Sequence, residues 1–217
     1  MRKLSILKYY CCFALFFSAF PTLSAQFDKG QFYGGLRLGA NFCQIDGDNA
    51  SGYNKFGMGV GYLVGQGLGA ASGGGWSYLS GAEFSVRGSR RPFDPENPGN
   101  GAFHMIMQSI DIPIYIVRYY HKFSFGLGFR TSYLLQATEK EGVILNLDTD
   151  LRKVNVLGAA FAEYKTGNLG RFFIESQYSI NSIRSIGASN SIFYSTGAYH
   201  NVIYCGFRFD LGNNKNN

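Results

Sequence analysis

The sequence predicts an all-β protein: a single eight-stranded antiparallel up-and-down transmembrane β-barrel. Three observations predict it. Apolar residues recur at every second position through eight segments, the pattern of strands with lipid on one side and a polar interior on the other. The composition is rich in glycine (29) and aromatics (17%, with 20 Phe and 15 Tyr), yet charged residues are only 16%. A soluble globular domain carries about 25% charged residues. The chain also opens with the marks of an export signal.

That signal is read over residues 1–25. Arg2, Lys3 and Lys8 form a basic start, Tyr9 to Phe20 is a short apolar run, and Leu23-Ser24-Ala25 is a small-residue cleavage site. The run is too short to span a bilayer as a helix. Cys11 and Cys12 lie inside it, not at the cleavage point, so a lipoprotein is not indicated. The barrel domain is then 26–217, beginning near Gln26. Three of the 20 basic residues fall in the signal, leaving a mature balance of +3, which gives no argument for a nucleic-acid partner.

The eight strands are read in order. Strand one, Phe32 to Gln44, puts Phe32, Leu36, Leu38, Ala40 and Phe42 on one face and Tyr33, Gly35, Arg37, Gly39 and Asn41 on the other. Strand two, Phe56 to Gly65, alternates Phe56, Met58, Val60, Tyr62 and Val64 with glycines. Strand three is Trp76 to Gly88, with Gly81, Glu83, Ser85 and Arg87 on the polar face. Strand four, about Met107 to Tyr119, sets four isoleucines against Ser109, Asp111, Pro113 and Tyr115. Strand five, Phe123 to Ala137, sets Phe125, Leu127, Phe129, Tyr133 and Leu135 against Gly126, Gly128, Arg130, Ser132 and Gln136. In strand six, Lys153 to Tyr164, either phase fits. Strand seven, Arg171 to Asn181, sets Phe172, Ile174, Tyr178 and Ile180 against Glu175, Gln177, Ser179 and Asn181. Strand eight, Tyr199 to Leu211, alternates Ile203, Cys205, Phe207, Phe209 and Leu211 with His200, Tyr204, Gly206, Arg208 and Asp210.

The connections alternate between short (67–75, 120–122, 165–170) and long (45–55, 89–106, 138–152, 182–198). Short periplasmic turns and long external loops are the outer-membrane arrangement, and an even strand count puts both mature termini in the periplasm. An arginine facing lipid at mid-bilayer costs roughly 2–4 kcal/mol. Arg37, Arg130 and Arg208 all sit on the polar face, so that face is the lumen. Arg118 breaks the phase at a strand end, where it can snorkel to the headgroups. Aromatics gather at both predicted interfaces, the girdles of a spanning barrel. The same phase points Cys43 inward and Cys205 outward, so both are expected to be free thiols.

The predicted lumen charges are Arg37, Arg87, Arg130 and Arg208 against Glu83, Asp111, Glu175 and Asp210. An eight-stranded barrel is only wide enough for its side chains to fill. Those charges must pair or remain hydrated; the reading taken is a structural plug with no stable open channel, and a narrow charged path or small-ligand site is the alternative. Pro113, unable to donate a ladder bond, predicts a bulge at its position.

Several segments together resemble the PorT-like outer-membrane β-barrel family. LRLGANFCQIDGDN (Leu36 to Asn49) is similar to its first strand and loop, and GYNKFG (Gly52 to Gly57) to the start of its second strand. EFSVRGS (Glu83 to Ser89), IDIPIY (Ile110 to Tyr115) and ESQYSI (Glu175 to Ile180) are similar to later strands, in the family's order. Tyr204, Gly206, Phe209 and Leu211 resemble the C-terminal signal read by the barrel-assembly machinery. The resemblance implies an outer-membrane barrel, and the family's name-giving member is tied to protein secretion across that membrane.

The chemistry-bearing residues point away from catalysis. His121 lies in a tight turn beside Lys122, and His104 and His200 lie towards the external side. No Gly-x-Ser-x-Gly occurs to pair with them. Asp46-Gly47-Asp48-Asn49 has oxygen ligands but lacks the spacing and closing Glu of a calcium loop. No cofactor is expected. Arg87, Arg90 and Arg91 make one loop root basic, and a forked guanidinium matches a lipopolysaccharide phosphate. The segment Val143 to Leu147 is read as extending strands above the membrane. The functional expectation is a non-enzymatic, anchored binding or accessory component, in contact with lipopolysaccharide and an envelope protein complex. A small passive pore and a lipid-modifying enzyme are the alternatives.

Overall fold

The computed structural model describes residues 32–47, 52–68, 75–92, 95, 102–141, 143–145, 151–167, 170–185 and 197–211. The predicted signal segment with its cleavage site at Ala25, together with Asp48, Asn49, Asn146 and Leu147, lies outside them.

Eight long strands form the wall: β1 (Phe32–Asp46), β2 (Lys55–Gly67), β3 (Trp76–Arg91), β4 (Phe103–Tyr120), β5 (Phe123–Glu141), β7 (Val154–Thr166), β8 (Gly170–Ser179) and β10 (Gly197–Asp210). Two short strands join them: β6 (Val143–Leu145) pairs with β5, and β9 (Arg184–Ser185) with β10. Each wall strand pairs antiparallel with its neighbour, and β1 pairs with β10 from Gly35↔Asp210 to Asp46↔Tyr199. The sheet therefore closes on itself, and no wall strand is left as an edge. Both termini of the wall lie at the end with the tight turns, here the turn end. The other is the loop end.

Period-two alternation sets the facing. The exterior carries Leu36, Leu38, Met58, Val60, Ile112, Ile114, Phe125, Leu127, Phe129 and Ile174, all exposed. The largest buried side chains include Arg37, Arg87, Arg130 and Arg208. This is a globular protein turned inside out, and the barrel is stable only with an apolar solvent around it. Rings cluster outward at both ends: Phe123 meets Tyr164 at 5.1 Å at the turn end, and Phe42 meets Phe56 at 5.6 Å at the loop end. Arg118 faces out and stacks over Trp76, 5.3 Å from the ring centroid. Lumen glycines make room for rings; a Cβ at Gly59 would sit 2.7 Å from the Tyr204 hydroxyl.

The interior is layered. An apolar layer at the loop end includes Ile45, Met105, Met107, Leu134 and Ala198, with Leu151 and Ile183 from outside the wall strands. Charges fill the middle. Towards the turn end Leu63, Leu79, Val117, Tyr115 and Phe161 pack with Tyr33 and Tyr119.

The structure corrects several sequence expectations. β3, β4 and β5 run 16, 18 and 19 residues, well past the limits read from alternation, so one side of the wall stands taller. The phase of β7 is settled: Asn155, Leu157, Ala159, Phe161 and Glu163 are buried. The predicted bulge is not at Pro113. It lies where Gln108 pairs Gln136 and Ser109 pairs Leu134, leaving Leu135 as the extra residue. Beyond it Gln136 is exposed rather than inward, and Ala137 returns to the interior. At Pro113 the β3–β4 ladder skips from Ser80↔Ile114 to Glu83↔Asp111 without losing register. The interruption is confined to two residue pairs, and the Ser80 hydroxyl donates to the Pro113 carbonyl at 2.8 Å. β8 ends at Ser179, not Asn181; the Asn181 side-chain oxygen instead accepts from the Val156 amide at 2.7 Å.

Candidate functional site

The middle of the lumen holds six charges brought from five strands. Arg37 comes from β1, Glu83 and Arg87 from β3, Asp111 from β4, Arg130 from β5 and Glu175 from β8. Arg130 is the hub. It pairs with Glu83, with Asp111 at 3.0 Å and with Glu175 at 2.9 Å. Arg37 bridges Glu175 at 2.5 Å and Glu83 at 3.3 Å, while Arg87 pairs with Asp111. Three guanidinium groups face three carboxylates, so the cluster is neutral.

Neutral donors complete it. The Tyr115 hydroxyl donates to Glu175 at 2.8 Å, Gln177 Nε2 to the same carboxylate at 2.9 Å, and Ser109 to Asp111 at 3.1 Å. Arg37 also lies over the Phe173 ring, 3.8 Å from its centroid, with Tyr204 packed on Phe173 at 4.8 Å. Rings and charges thus leave no open bore at this level. Buried ions this densely paired hold one another in place, because removing any one strands its partners.

A second cluster lies nearer the turn end. Arg208 Nη1 is 3.0 Å from Glu163 Oε1, and Arg208 Nε is 3.3 Å from Asp210. Arg171 reaches Asp210 at 3.5 Å, and the Ser124 hydroxyl donates to Glu163 at 2.9 Å. Arg208 and Asp210 therefore belong to this group and not to the central one. Glu163 and Arg171 were not singled out from the sequence. Glu163 was hidden by the ambiguous phase of its strand. The available signal was its polarity: facing outward, it would have put an unpaired carboxylate against the membrane.

The predicted lipopolysaccharide contacts divide. Arg87 is 1% exposed and bound to Asp111 and Ser132 inside the barrel, so it has no surface to offer a phosphate. Arg90 is exposed and Arg91 half-buried at the end of β3. Just before them Gly88 has φ +151°, and a Cβ there would collide with the Met105 carbonyl oxygen, so this close approach of β3 to β4 requires glycine.

His200 also lies inside. It is 4% exposed and helps line a cavity of about 10 Å³ with Arg87, Ser109, Ser132 and Asn155, room for about one water. His121 occupies the left-handed position (φ 52°) of the β4–β5 turn, with its ring edge-on to Tyr120. His104 is half-buried near the start of β4. Cys43 is buried in the lumen, Cys205 is half-buried on the outer face, and both are free. Among the described residues no group of three or more His, Cys, Asp or Glu side chains is placed to hold a metal ion.

Fold and interior together define a class: a closed eight-stranded antiparallel barrel, apolar outside and packed with paired charges inside. No family model matches the chain, and no curated protein sequence matches it. Among solved structures it is similar to Ail, the attachment invasion locus protein of Yersinia pestis. The complex of Ail with the heparin analogue sucrose octasulfate aligns with a TM-score of 0.47 at 10% identity, covering 83% of this chain and 99% of that one. A second Ail structure aligns with a TM-score of 0.46 at 12% identity and the same coverage.

Proposed function

We propose that this chain is an integral outer-membrane barrel that works as a non-enzymatic, anchored binding or accessory component. The observation that carries this reading is the filled, charge-neutral lumen inside an apolar wall. A plugged barrel offers its partners only its outside: loop end, lipid face and turn end. His200, the histidine nearest to serine hydroxyls, is sealed in the lumen, where a lipid substrate has no access. This supports the non-enzymatic reading.

In this reading residues 1–25 are removed on export, both mature termini are periplasmic and the long loops face outward. Arg90 and Arg91 lie at the level of lipopolysaccharide phosphates. Tyr204, Gly206, Phe209 and Leu211 serve recognition by the barrel-assembly machinery. The motif order supports membership of the PorT-like family and, with it, a secretion-related accessory role in an envelope protein complex.

The test is a tagged pull-down from outer membranes solubilised in mild detergent, with photo-crosslinkers placed at the loop end and the turn end. A stoichiometric envelope protein crosslinked from one end supports the accessory reading. Recovery of the mature chain outside the outer membrane would sink it. Steady single-channel conductance in a planar bilayer would replace it with the pore.

A further inference from the structure

On the outer surface at the loop end, one seam differs from the rest of the wall. Gln44 and Asp46 on β1, Tyr178 on β8, and Tyr199 and Asn201 on β10 all point outward there. The register sets them side by side: Asp46 opposite Tyr199, Gln44 opposite Asn201, and Asn201 opposite Tyr178. Gln44 Nε2 donates to Asp46 Oδ1 at 2.7 Å and Asn201 Nδ2 to Asp46 Oδ2 at 3.4 Å. The Tyr178 side chain lies near the same carboxylate. From the β1–β2 connection the Tyr53 hydroxyl donates to Asn201 Oδ1 at 2.7 Å, which ties that segment to β10. The Tyr178 and Tyr199 rings are parallel within 6°, their centroids 6.3 Å apart.

We infer that this seam is a saccharide-binding surface, shaped for the sugar headgroup of a membrane glycolipid. Sugars present apolar C–H faces and hydroxyl edges. Flat aromatic faces accept the former. The latter need donors and acceptors in one place, which a carboxylate flanked by two primary amides supplies. Tyr53 and Tyr178 are 40% and 47% exposed, so ring surface is open to a ligand. An ordinary interfacial girdle needs rings alone; it does not need a carboxylate held by two amides. Beside the seam, the outward positions at the loop ends of β5 and β7 carry Tyr133, Leu135 and Val154, exposed and with no carboxylate among them. The six residues contain no lysine or arginine, so they select hydroxyls over phosphate, whereas Arg90 on β3 suits phosphate. A membrane-linked sugar fits because the seam faces sideways, at headgroup level, and not up from the loops. This assignment of the lipid rests on the outer-membrane reading.

The test uses the full mature chain in phosphatidylcholine nanodiscs, offered lipopolysaccharide bearing inner-core sugars, lipid A alone, or the free core oligosaccharide. Retained ligand is counted by native mass spectrometry. The expected result is a roughly tenfold preference for the sugar-bearing lipid over lipid A, as two or three hydrogen bonds and a ring contact provide. Tyr178→Ala and Asn201→Ala should bring that ratio towards one, while Arg90→Ala lowers retention of both lipids and leaves the ratio alone. Gln44→Ala, at a half-exposed position, gives the same readout should the tyrosine variant fail the heat-modifiable folding assay. Equal binding of lipid A, or an unchanged ratio in the folded variants, would overturn the site. Free oligosaccharide binding as tightly as the lipid-linked form would overturn the glycolipid assignment. Because the barrel is purified, the outcome is separate from cell fractionation, which tests the location.

Discussion

The lumen is sealed twice by opposite chemistry. Its middle is closed by six interlocked charges around Arg130; its loop end is packed with apolar side chains, among them Met105, Met107, Leu134, Leu151 and Ile183. The apolar layer seals by volume and tolerates exchange among side chains of similar size. The ionic layer seals by mutual dependence, since each guanidinium exists in low dielectric only because carboxylates surround it. The wall strands supply most of both layers by one alternating pattern, and Leu151 and Ile183 join the apolar one from outside them. What differs is depth along the strand.

That difference can be broken experimentally. The largest expected effect is Arg130→Ala, which takes one partner from each of three buried carboxylates at once. It should cost about 3–5 kcal/mol, read by urea unfolding of the barrel in lipid vesicles. Leu134→Ala in the apolar layer should cost about 2–5 kcal/mol and leave no unpaired charge. Its loss should therefore be recovered by Leu134→Met, whereas Arg130→Lys should recover little, because a lysine cannot fork to three partners. Arg171→Ala, at the half-exposed pair with Asp210, should cost about 0.2–1 kcal/mol and less in high salt. Arg90→Ala should change stability by at most about 0.5 kcal/mol. A conductance measurement sharpens the comparison further. The Arg37→Ala/Arg130→Ala double variant should stay closed in a planar bilayer, because the apolar layer remains. A steady current from it would make the ionic layer the true seal.

Facing was legible in the sequence because its cost is large and local: a guanidinium on the lipid side would be penalised at every strand. The ring-bearing exterior and the positions of Cys43 and Cys205 follow from the same rule. Depth was not legible. Alternation puts Arg87 inward and Arg90, three residues on, outward, but it cannot tell that Arg87 is spent on Asp111; that depends on the level at which β3 meets β4. Strand ends failed for a related reason. The upper parts of β4 and β5 stand beyond the apolar belt, so their outward residues no longer need to be apolar. The bulge could not be placed from Pro113, because a lost ladder bond is a smaller disturbance than an inserted residue. Glu163 was hidden because its neighbours Gly158, Ala160 and Ala162 are too small to declare a face.

The central cluster also bears on how the barrel is made. Arg37 and its partner Glu175 are separated by 138 positions in the chain. Until the first strand meets the last, each has only its partner on its own side of the gap, Glu83 for Arg37 and Arg130 for Glu175. Contacts so distant in sequence form slowly, and the Arg37–Glu175 bridge forms only at closure. A half-built sheet released into lipid would carry its ions exposed along an open seam. Closure therefore completes the network, joining the Arg37–Glu83 side to the Arg130–Glu175 side.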